Sequence, residues 1–265
     1  MYHLYGKAEY GVNLVKGNLI RYMNEFVYGD SERIFVNTSI GCSAKCVYCY
    51  LPDLDIKKII KRMDVNEVIK RVEGAPYYRR GSGGSLISIG CYSECMDSKN
   101  IEDTFKVVNY FLQQDNYVQL ATKKEIDDTF FKSIILNGKA KEKLWIYVSI
   151  PTITDSAELE PGTDVPEKRI KNFELCKKYG IHNALYIKPY LSGVTDKDVN
   201  RYIELIKEYD FPVVVGGTLS VNNSGIEVSV GEKRLYEYEL ERATQFINQL
   251  KSVTKVYFHS TECIR

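Results

Sequence analysis

The chain has 265 residues, 44% of them apolar, which suffices for one large domain or two small ones around a buried core and excludes a disordered polymer. Its 36 basic and 35 acidic residues nearly cancel, which excludes the broad positive field of a dedicated nucleic-acid binder and leaves room only for a local patch. No apolar run approaches the roughly 18 residues of a membrane span, and the start, MYHLYGKAEYGVNLVKG, lacks the basic, apolar and small-residue order of a signal peptide. A cytoplasmic protein with no membrane partner is expected.

In chain order, residues 1–32 read as an N-terminal lead-in segment. Then β-branched apolar runs alternate with helical patterns. RIFVNT (33–38), SLISIG (85–90), YVQLAT (117–122), LWIYVSI (144–150), ALYIKP (184–189) and PVVVGG (212–217) have the near-continuous apolar character of buried parallel strands. Between them, Val65, Val68, Ile69 and Val72 share one helical face, as do Phe105, Val108 and Leu112, then Ile170, Phe173 and Cys176, then Val199, Tyr202, Ile203 and Ile206.

Six strands each followed by a helix predict an α/β fold, a partial (β/α)6 barrel, because parallel strands need crossovers that cover the sheet. The core barrel is expected over 33–220. Residues 221–265 supply a final helix, LYEYELERATQFINQL (235–250), and a short strand, TKVYFHS (254–260), that complete it. The glycines of RRGSGGS (79–85) lack the Walker pattern with its Lys and Ser/Thr. Reacting groups in such a fold are expected on loops at the carboxyl ends of the strands.

Seven cysteines, odd in number and unevenly spaced, do not form a disulfide framework; in a reducing compartment they read as ligands, catalytic groups or packing. Cys42, Cys46 and Cys49 stand as C-x3-C-x2-C just after the first strand. Zinc sites pair a C-x2-C with a second Cys/His pair, and the nearest downstream histidine, His182, has no companion. Three such thiolates can instead hold three irons of a cubane iron-sulfur cluster and leave the fourth iron open. A surface loop with clustered thiols, or a purely structural metal in a non-catalytic binding module, are the competing readings.

This triplet, with an aromatic residue before its last cysteine and a six-strand α/β pattern around it, resembles the radical S-adenosylmethionine (SAM) superfamily. The resemblance implies a 4Fe-4S cluster on Cys42, Cys46 and Cys49, SAM on the open iron, a reductant such as flavodoxin or ferredoxin, and reductive cleavage of SAM to a 5′-deoxyadenosyl radical that abstracts a substrate hydrogen atom. The hard chemistry then belongs to the cofactors, and the barrel orients and shields the radical.

Further stretches resemble the spore photoproduct lyase-like family over about residues 33–220. CVYCYLP (46–52) places Tyr48 and Tyr50 on either side of the last cysteine, where that family's tyrosines are implicated in hydrogen-atom relay; packing on the cluster is the alternative for both. GCYSECMD (90–97) departs from the usual glycine-rich motif for the SAM amino group and resembles the family's Cys-Thr-Ser-Asp run. By that match Cys91 donates a hydrogen atom to the product radical, and Ser93 and Glu94 contact SAM; a buried structural cysteine is the plainer reading of Cys91. ATKKE (121–125) matches a Thr-Lys whose lysine, here Lys123, reaches the SAM carboxylate, while Lys124 reads as a solvated loop residue. Ser149 in VSIPT matches a serine near SAM. In LEPGTDVPEKRI (159–170), Pro166 opens a helix, and Arg169 either pairs with Glu160 or approaches the SAM carboxylate, the pair being preferred. IKPYLSGVTD (187–196) resembles the segment lining the adenine pocket.

The chain is shorter than that family's lyase and lacks an obvious counterpart of its DNA-binding hairpin, so lyase-like membership does not by itself carry a DNA substrate. The substrate classes left open are DNA or a nucleotide, a small molecule, and a peptide. DIKKIIKRMD (55–64) and YYRRGSGG (77–84) are expected to put positive charge and tyrosines on the cluster side of the barrel, an arrangement suited to nucleic acid. Cys91, Cys95 and Cys263 can in principle supply a second cluster, and Cys176 is expected in the core.

Overall fold

The structure, a computed structural model, describes residues 26–54, 56, 60–216 and 239–264. Its strands are β1 (Val27–Gly29), β2 (Arg33–Val36), β3 (Ser39–Ile40), β4 (Lys61–Arg62), β5 (Leu86–Ile89), β6 (Val118–Thr122), β7 (Leu144–Ser149), β8 (His182–Ile187), β9 (Val213–Val215) and β10 (Val256–Tyr257). The helices are α1 (Val65–Glu73), α2 (Ile101–Gln113), α3 (Asp128–Ile134), α4 (Ala140–Lys143), α5 (Ser156–Leu159), α6 (Pro166–Tyr179), α7 (Val199–Tyr209) and α8 (Leu240–Lys251).

Eight strands form one sheet in the order β1-β2-β5-β6-β7-β8-β9-β10, parallel throughout except for β1, which runs antiparallel to β2. β3 and β4 form a separate antiparallel pair. The six expected strands are all present, and the order is that of an incomplete barrel with β1 and β10 as its edges. β8 begins at His182, two residues before its apolar run, because Trp145 and Ile146 pair with His182 and Asn183.

Alternation along each strand separates two environments. Val36, Ile89, Leu120 and Ile146 are consecutive register partners and face the helices, in a core shared with Val68, Val72, Val107, Phe111, Phe173 and Phe246. Their neighbours face the concave side: Phe35, Ser88, Gln119 and Trp145 in one layer, then Ala121, Tyr147 and Ala184 in the next. The helix layer is set by local signals. Asp64 caps α1, accepting from Asn66 N (2.9 Å) and Glu67 N (3.2 Å), and Pro166 occupies the first turn of α6 as expected.

The lead-in departs from expectation at its end. Residues 1–25 lie outside the described residues, but β1 adds an edge strand whose Tyr28 ring stacks on Phe35 (4.8 Å) and on Tyr92 (5.2 Å). At the other edge, the segment after β10 turns inward. Tyr147 OH donates to the Ser260 carbonyl at 2.6 Å, and Arg33 Nη2 donates to Ser260 Oγ at 3.3 Å. Both side chains face the concave side, so the Ser260–Cys263 turn crosses from the β10 edge toward β2 at the amino-terminal end of the strands.

The stretch YYRRGSGG is placed opposite to expectation. It precedes β5, and the Arg79 carbonyl accepts from Ser85 N (2.8 Å) and Asn116 Nδ2 (2.9 Å), which lie just before β5 and β6. These arginines therefore sit at the amino-terminal end of the barrel, away from the cysteine loop. Of the other basic stretch, residues 55 and 57–59 lie outside the described residues, as do residues 217–238.

Candidate active site

The cysteine loop follows β2 and is clamped from two directions. Gly41 N donates to the Tyr92 carbonyl (2.9 Å) in the loop after β5. On the far side, Val47 N donates to the Leu159 carbonyl (3.0 Å) and Gly162 N to the Ala44 carbonyl (2.9 Å). That last approach requires glycine, since a Cβ at residue 162 would stand 2.5 Å from the Ala44 oxygen.

Cys42, Cys46 and Cys49 are half-buried on this loop. Burial pushes the Cys42 thiol up and the Cys46 thiol up to about 12, and in both cases the neighbouring loop thiols add to the rise, so the sulfurs lie within electrostatic reach of one another. Among the described residues no three Cys, His, Asp or Glu side chains converge on a single ion position. A mononuclear zinc site needs such convergence. A cubane does not, because each thiolate takes its own iron, and a bound iron reverses the burial penalty by deprotonating its thiol. The donor set fits a cluster.

Next to the thiols stand the residues at the ends of β5, β6 and β7. The Glu94 carboxylate accepts from the Thr122 hydroxyl (2.5 Å), Lys123 N (2.8 Å) and Met96 N (3.1 Å). Burial raises its pKa and these donors pull it back. A carboxylate has about four acceptor sites, so one remains. Ser93 Oγ is buried and has no partner, an orphan that a ligand atom would satisfy. Lys123 Nζ donates to Ser149 Oγ at 2.5 Å and lies 3.6 Å from Glu160 Oε1. Burial lowers its pKa to about 8 against the pull of Cys46. An ammonium has three donors, and a ligand carboxylate is the natural acceptor for the one left over.

Glu160 links the cysteine loop to β7 and α6. It accepts from the Tyr48 hydroxyl and pairs with Arg169 Nη1 at 2.6 Å, both partners' side chains being fully buried. Burial raises the Glu160 pKa to about 7, with Arg169 opposing. The rest of the guanidinium is also engaged, by the Ser149 carbonyl (3.0 Å), the Asp164 carbonyl (2.5 Å) and Thr163 Oγ1. The preferred structural pair is therefore the observed one. Lys124 is half-buried and pairs with Asp164 at 3.2 Å, so it is not the free loop lysine expected.

The two tyrosines have different surroundings. Tyr48 is buried against Leu159 and Leu191, with the Lys123 ammonium 5.7 Å from its ring centre. Tyr50 OH donates to the Cys91 carbonyl at 2.5 Å. Cys91 packs in one cluster with Tyr28, and Arg33, Tyr28 and Lys188 partly offset the rise in its thiol pKa that burial causes. Cys91 thus belongs to the barrel interior, whereas Cys95 is buried in the helix-side core, donating toward the Ala121 carbonyl at 3.6 Å. Cys263 packs with Tyr147 and Tyr257 on the concave side. The structure does not gather Cys91, Cys95 and Cys263, because the sheet lies between Cys95 and the concave side. Cys176 is in the core.

The sequence of residues 36–206 matches the family model described as the radical SAM superfamily. The chain belongs to the radical SAM superfamily. Its members are enzymes that use SAM and a 4Fe-4S cluster. Among solved structures, spore photoproduct lyase complexed with dinucleoside spore photoproduct superposes with a TM-score of 0.61 at 15% identity, covering 84% of this chain and 75% of the lyase. Streptococcus suis SuiB bound to S-adenosylmethionine gives 0.56 at 13% identity, over 85% of this chain and 49% of SuiB. Native anSMEcpe with bound AdoMet and Cp18Cys peptide gives 0.54 at 19% identity, over 82% of this chain and 58% of that one. At these identities the likeness is one of fold. No curated protein matches in sequence. Among the described residues of this radical SAM protein, no helix is long and apolar enough to cross a membrane.

Sequence reading missed Tyr28, which lies in the presumed lead-in, and the part Glu160 plays in holding Tyr48 and Lys123. The alternation of β2 could have flagged Asn37 as inward-facing; its Oδ1 accepts from Tyr92 N at 3.0 Å and its Nδ2 is buried without a partner.

Proposed function

We propose that this radical SAM enzyme abstracts a hydrogen atom from a substrate held in the barrel interior and returns one from Cys91, in the manner of spore photoproduct lyase-like enzymes. Cys42, Cys46 and Cys49 would hold the cluster, with SAM contacted by Ser93, Glu94, Lys123 and Ser149. When bound, these groups supply a reductively formed 5′-deoxyadenosyl radical. The observation that carries the reading is the setting of Cys91: its carbonyl is fixed by Tyr50, and it packs in one cluster with Tyr28, Tyr50 and two of the loop cysteines, Cys42 and Cys49.

The chain's own groups then have separate tasks. Lys123, held by Ser149 and Glu160, orients a carboxylate. Tyr48 keeps the cysteine loop in register with Glu160. The Cys91 S–H is weak enough to give its hydrogen atom to a carbon radical, forming a C–H bond and a thiyl radical. Tyr50 lies on the Cys91 side and Tyr48 on the Lys123 side, an order that supports the hydrogen-relay role implied for the pair. Reduction of the reconstituted protein with SAM is expected to yield 5′-deoxyadenosine. Cys91→Ala should still cleave SAM and misprocess the product radical; an unchanged product distribution with a deuterium-labelled substrate overturns the donor role.

For the substrate, one observation favours a small molecule or a peptide side chain over intact DNA. The Ser260 turn fills the amino-terminal end of the concave side and ties to Arg33 and Tyr147, and the Arg79–Arg80 patch faces away from the site. Retention on single- and double-stranded DNA across a salt series tests this, since phosphate contacts weaken steeply with salt. Strong salt-sensitive retention would restore the nucleic-acid reading.

A further inference from the structure

Val36, Ile187 and Val215 pack in the helix-side core. The next residue along each strand, Asn37, Lys188 and Gly216, therefore turns to the concave side at the carboxyl end of the barrel, which is also the end that carries Cys91. Lys188 is half-buried, and its stem lies along Gly216, where a Cβ would come 3.2 Å from Lys188 Cε and 3.3 Å from Cδ. Glycine there leaves the stem a channel. Among the described residues no hydrogen bond or ion pair reaches the Lys188 ammonium.

Asn37 is fully buried. Its amide orientation is fixed because Oδ1 takes the Tyr92 N–H, which leaves the donor Nδ2 without an acceptor. Tyr92 adjoins Cys91, whose thiol feels the Lys188 charge. One unmet donor, the Lys188 ammonium, therefore lies within electrostatic reach of the Cys91 thiol, and the other, Asn37 Nδ2, belongs to the side chain that holds the backbone of the next residue, Tyr92. Leaving such groups unpaired is costly unless a ligand completes them, and the complement of donors without acceptors is an oxyanion.

We propose that Lys188 and Asn37 anchor the carboxylate or phosphate of a small-molecule substrate inside the barrel, next to Cys91. This rests on the reading that the substrate occupies the interior, and it names the chemical class that the interior selects. Neither residue is among those assigned to the cluster or to the amino and carboxylate groups of SAM; Lys188 lies in the 187–196 stretch that resembles an adenine-pocket lining, and the proposal assigns its ammonium to the substrate instead, where the anchor sets specificity.

The test uses the full chain, anaerobically reconstituted and loaded with SAM, and follows the phosphorus NMR line width of inorganic phosphate during titration. A second arm follows the carbon line width of labelled acetate. Saturable broadening is expected in the parent protein with at least one of the two ions, and which ion broadens identifies phosphate or carboxylate as the preferred group. Lys188→Gln should weaken the response by about tenfold, the scale of one charge-assisted hydrogen bond, while Lys188→Arg keeps most of it and Asn37→Ala falls between. All three variants should retain SAM binding, which also reports folding. Loss of SAM affinity in Lys188→Gln would move the lysine to the SAM site and overturn the proposal. So would equal responses in Lys188→Gln and the parent, no saturable response to either ion, or a response only to 5′-phosphorylated single-stranded DNA. Deoxyadenosine formation by the parent chain, measured separately, tests the catalytic reading, so either can fail alone.

Discussion

Two lysines, one buried and one half-buried, stand at opposite ends of the barrel and show how this fold divides stability from chemistry. Lys143, just before β7, has a side chain only 1% exposed, and its ammonium meets Asp115 Oδ1 (2.8 Å), the Asp115 carbonyl (3.0 Å) and Ser82 Oγ (3.0 Å). Two hydrogen bonds and an ion pair hold it. Lys123, just after β6, has Ser149 Oγ at 2.5 Å and Glu160 only at 3.6 Å. An ammonium held from three sides locks the chain ends of the barrel floor. One with a donor left over is a socket, and the desolvation that lowers its pKa to about 8 is a cost that a bound carboxylate would relieve.

The widest separation between the ends is expected from the cysteine loop. Cys46→Ala should bring iron content, visible cluster absorption and deoxyadenosine formation to background while leaving thermal stability of the cluster-free protein within a few degrees. The hydrogen bonds that clamp the loop beside Cys46, Val47 N to the Leu159 carbonyl and Tyr48 OH to Glu160, do not need its sulfur. Full iron loading in the variant would end the assignment of that ligand.

Arg169→Met should blur the contrast, because the Glu160–Arg169 pair is a structural element placed at the functional end. Removing one partner of a fully buried pair typically costs about 3–5 kcal/mol, which for a chain of this size lowers Tm by roughly 10 °C. SAM affinity should fall with it, since Glu160 also meets Lys123 and Tyr48. A stable variant with intact SAM binding would mean that Tyr48 and Lys123 hold Glu160 without Arg169.

Lys123→Met sharpens the contrast. SAM affinity, read by equilibrium binding to the reconstituted protein, should drop by about tenfold to a hundredfold, as for a lost charge-assisted hydrogen bond, with Tm unchanged or raised. Lys143→Met should do the reverse, lowering Tm with SAM affinity intact. If both variants lose stability equally, Lys123 is a structural lysine too.

The sequence carried most of the architecture because the strands of a parallel sheet are buried on the helix side and packed on the other, and read as continuous apolar runs. The cysteine loop was legible from spacing alone. What escaped depends on contacts that no local pattern encodes: Tyr48 meets Glu160 across 112 residues, and Arg33 meets Ser260 across 227. Tyr28 was hidden because nothing in VYG marks an antiparallel edge strand. The misplaced Arg79–Arg80 patch was avoidable. A segment that precedes a parallel strand must lie at the amino-terminal end, opposite the loops that carry the site.

The smallest expected effect concerns the floor at low pH. Asp115 is held at about 2, below its ordinary 3.8, first by Lys139 and then by Lys143. A carboxyl whose folded pKa is depressed contributes stability above its unfolded value and loses it as pH falls through the folded one. The contribution should therefore be complete above about pH 4 and gone below about pH 2. Asp115 is solvent-accessible, so salt should shrink the effect further. Acid unfolding of the parent should show this slope between those limits, and Asp115→Asn should flatten it without changing SAM binding at neutral pH. An identical acid profile in the two proteins would mean that Lys143 is held chiefly by Ser82 and the Asp115 carbonyl, and that the floor owes its closure to hydrogen bonds rather than to charge.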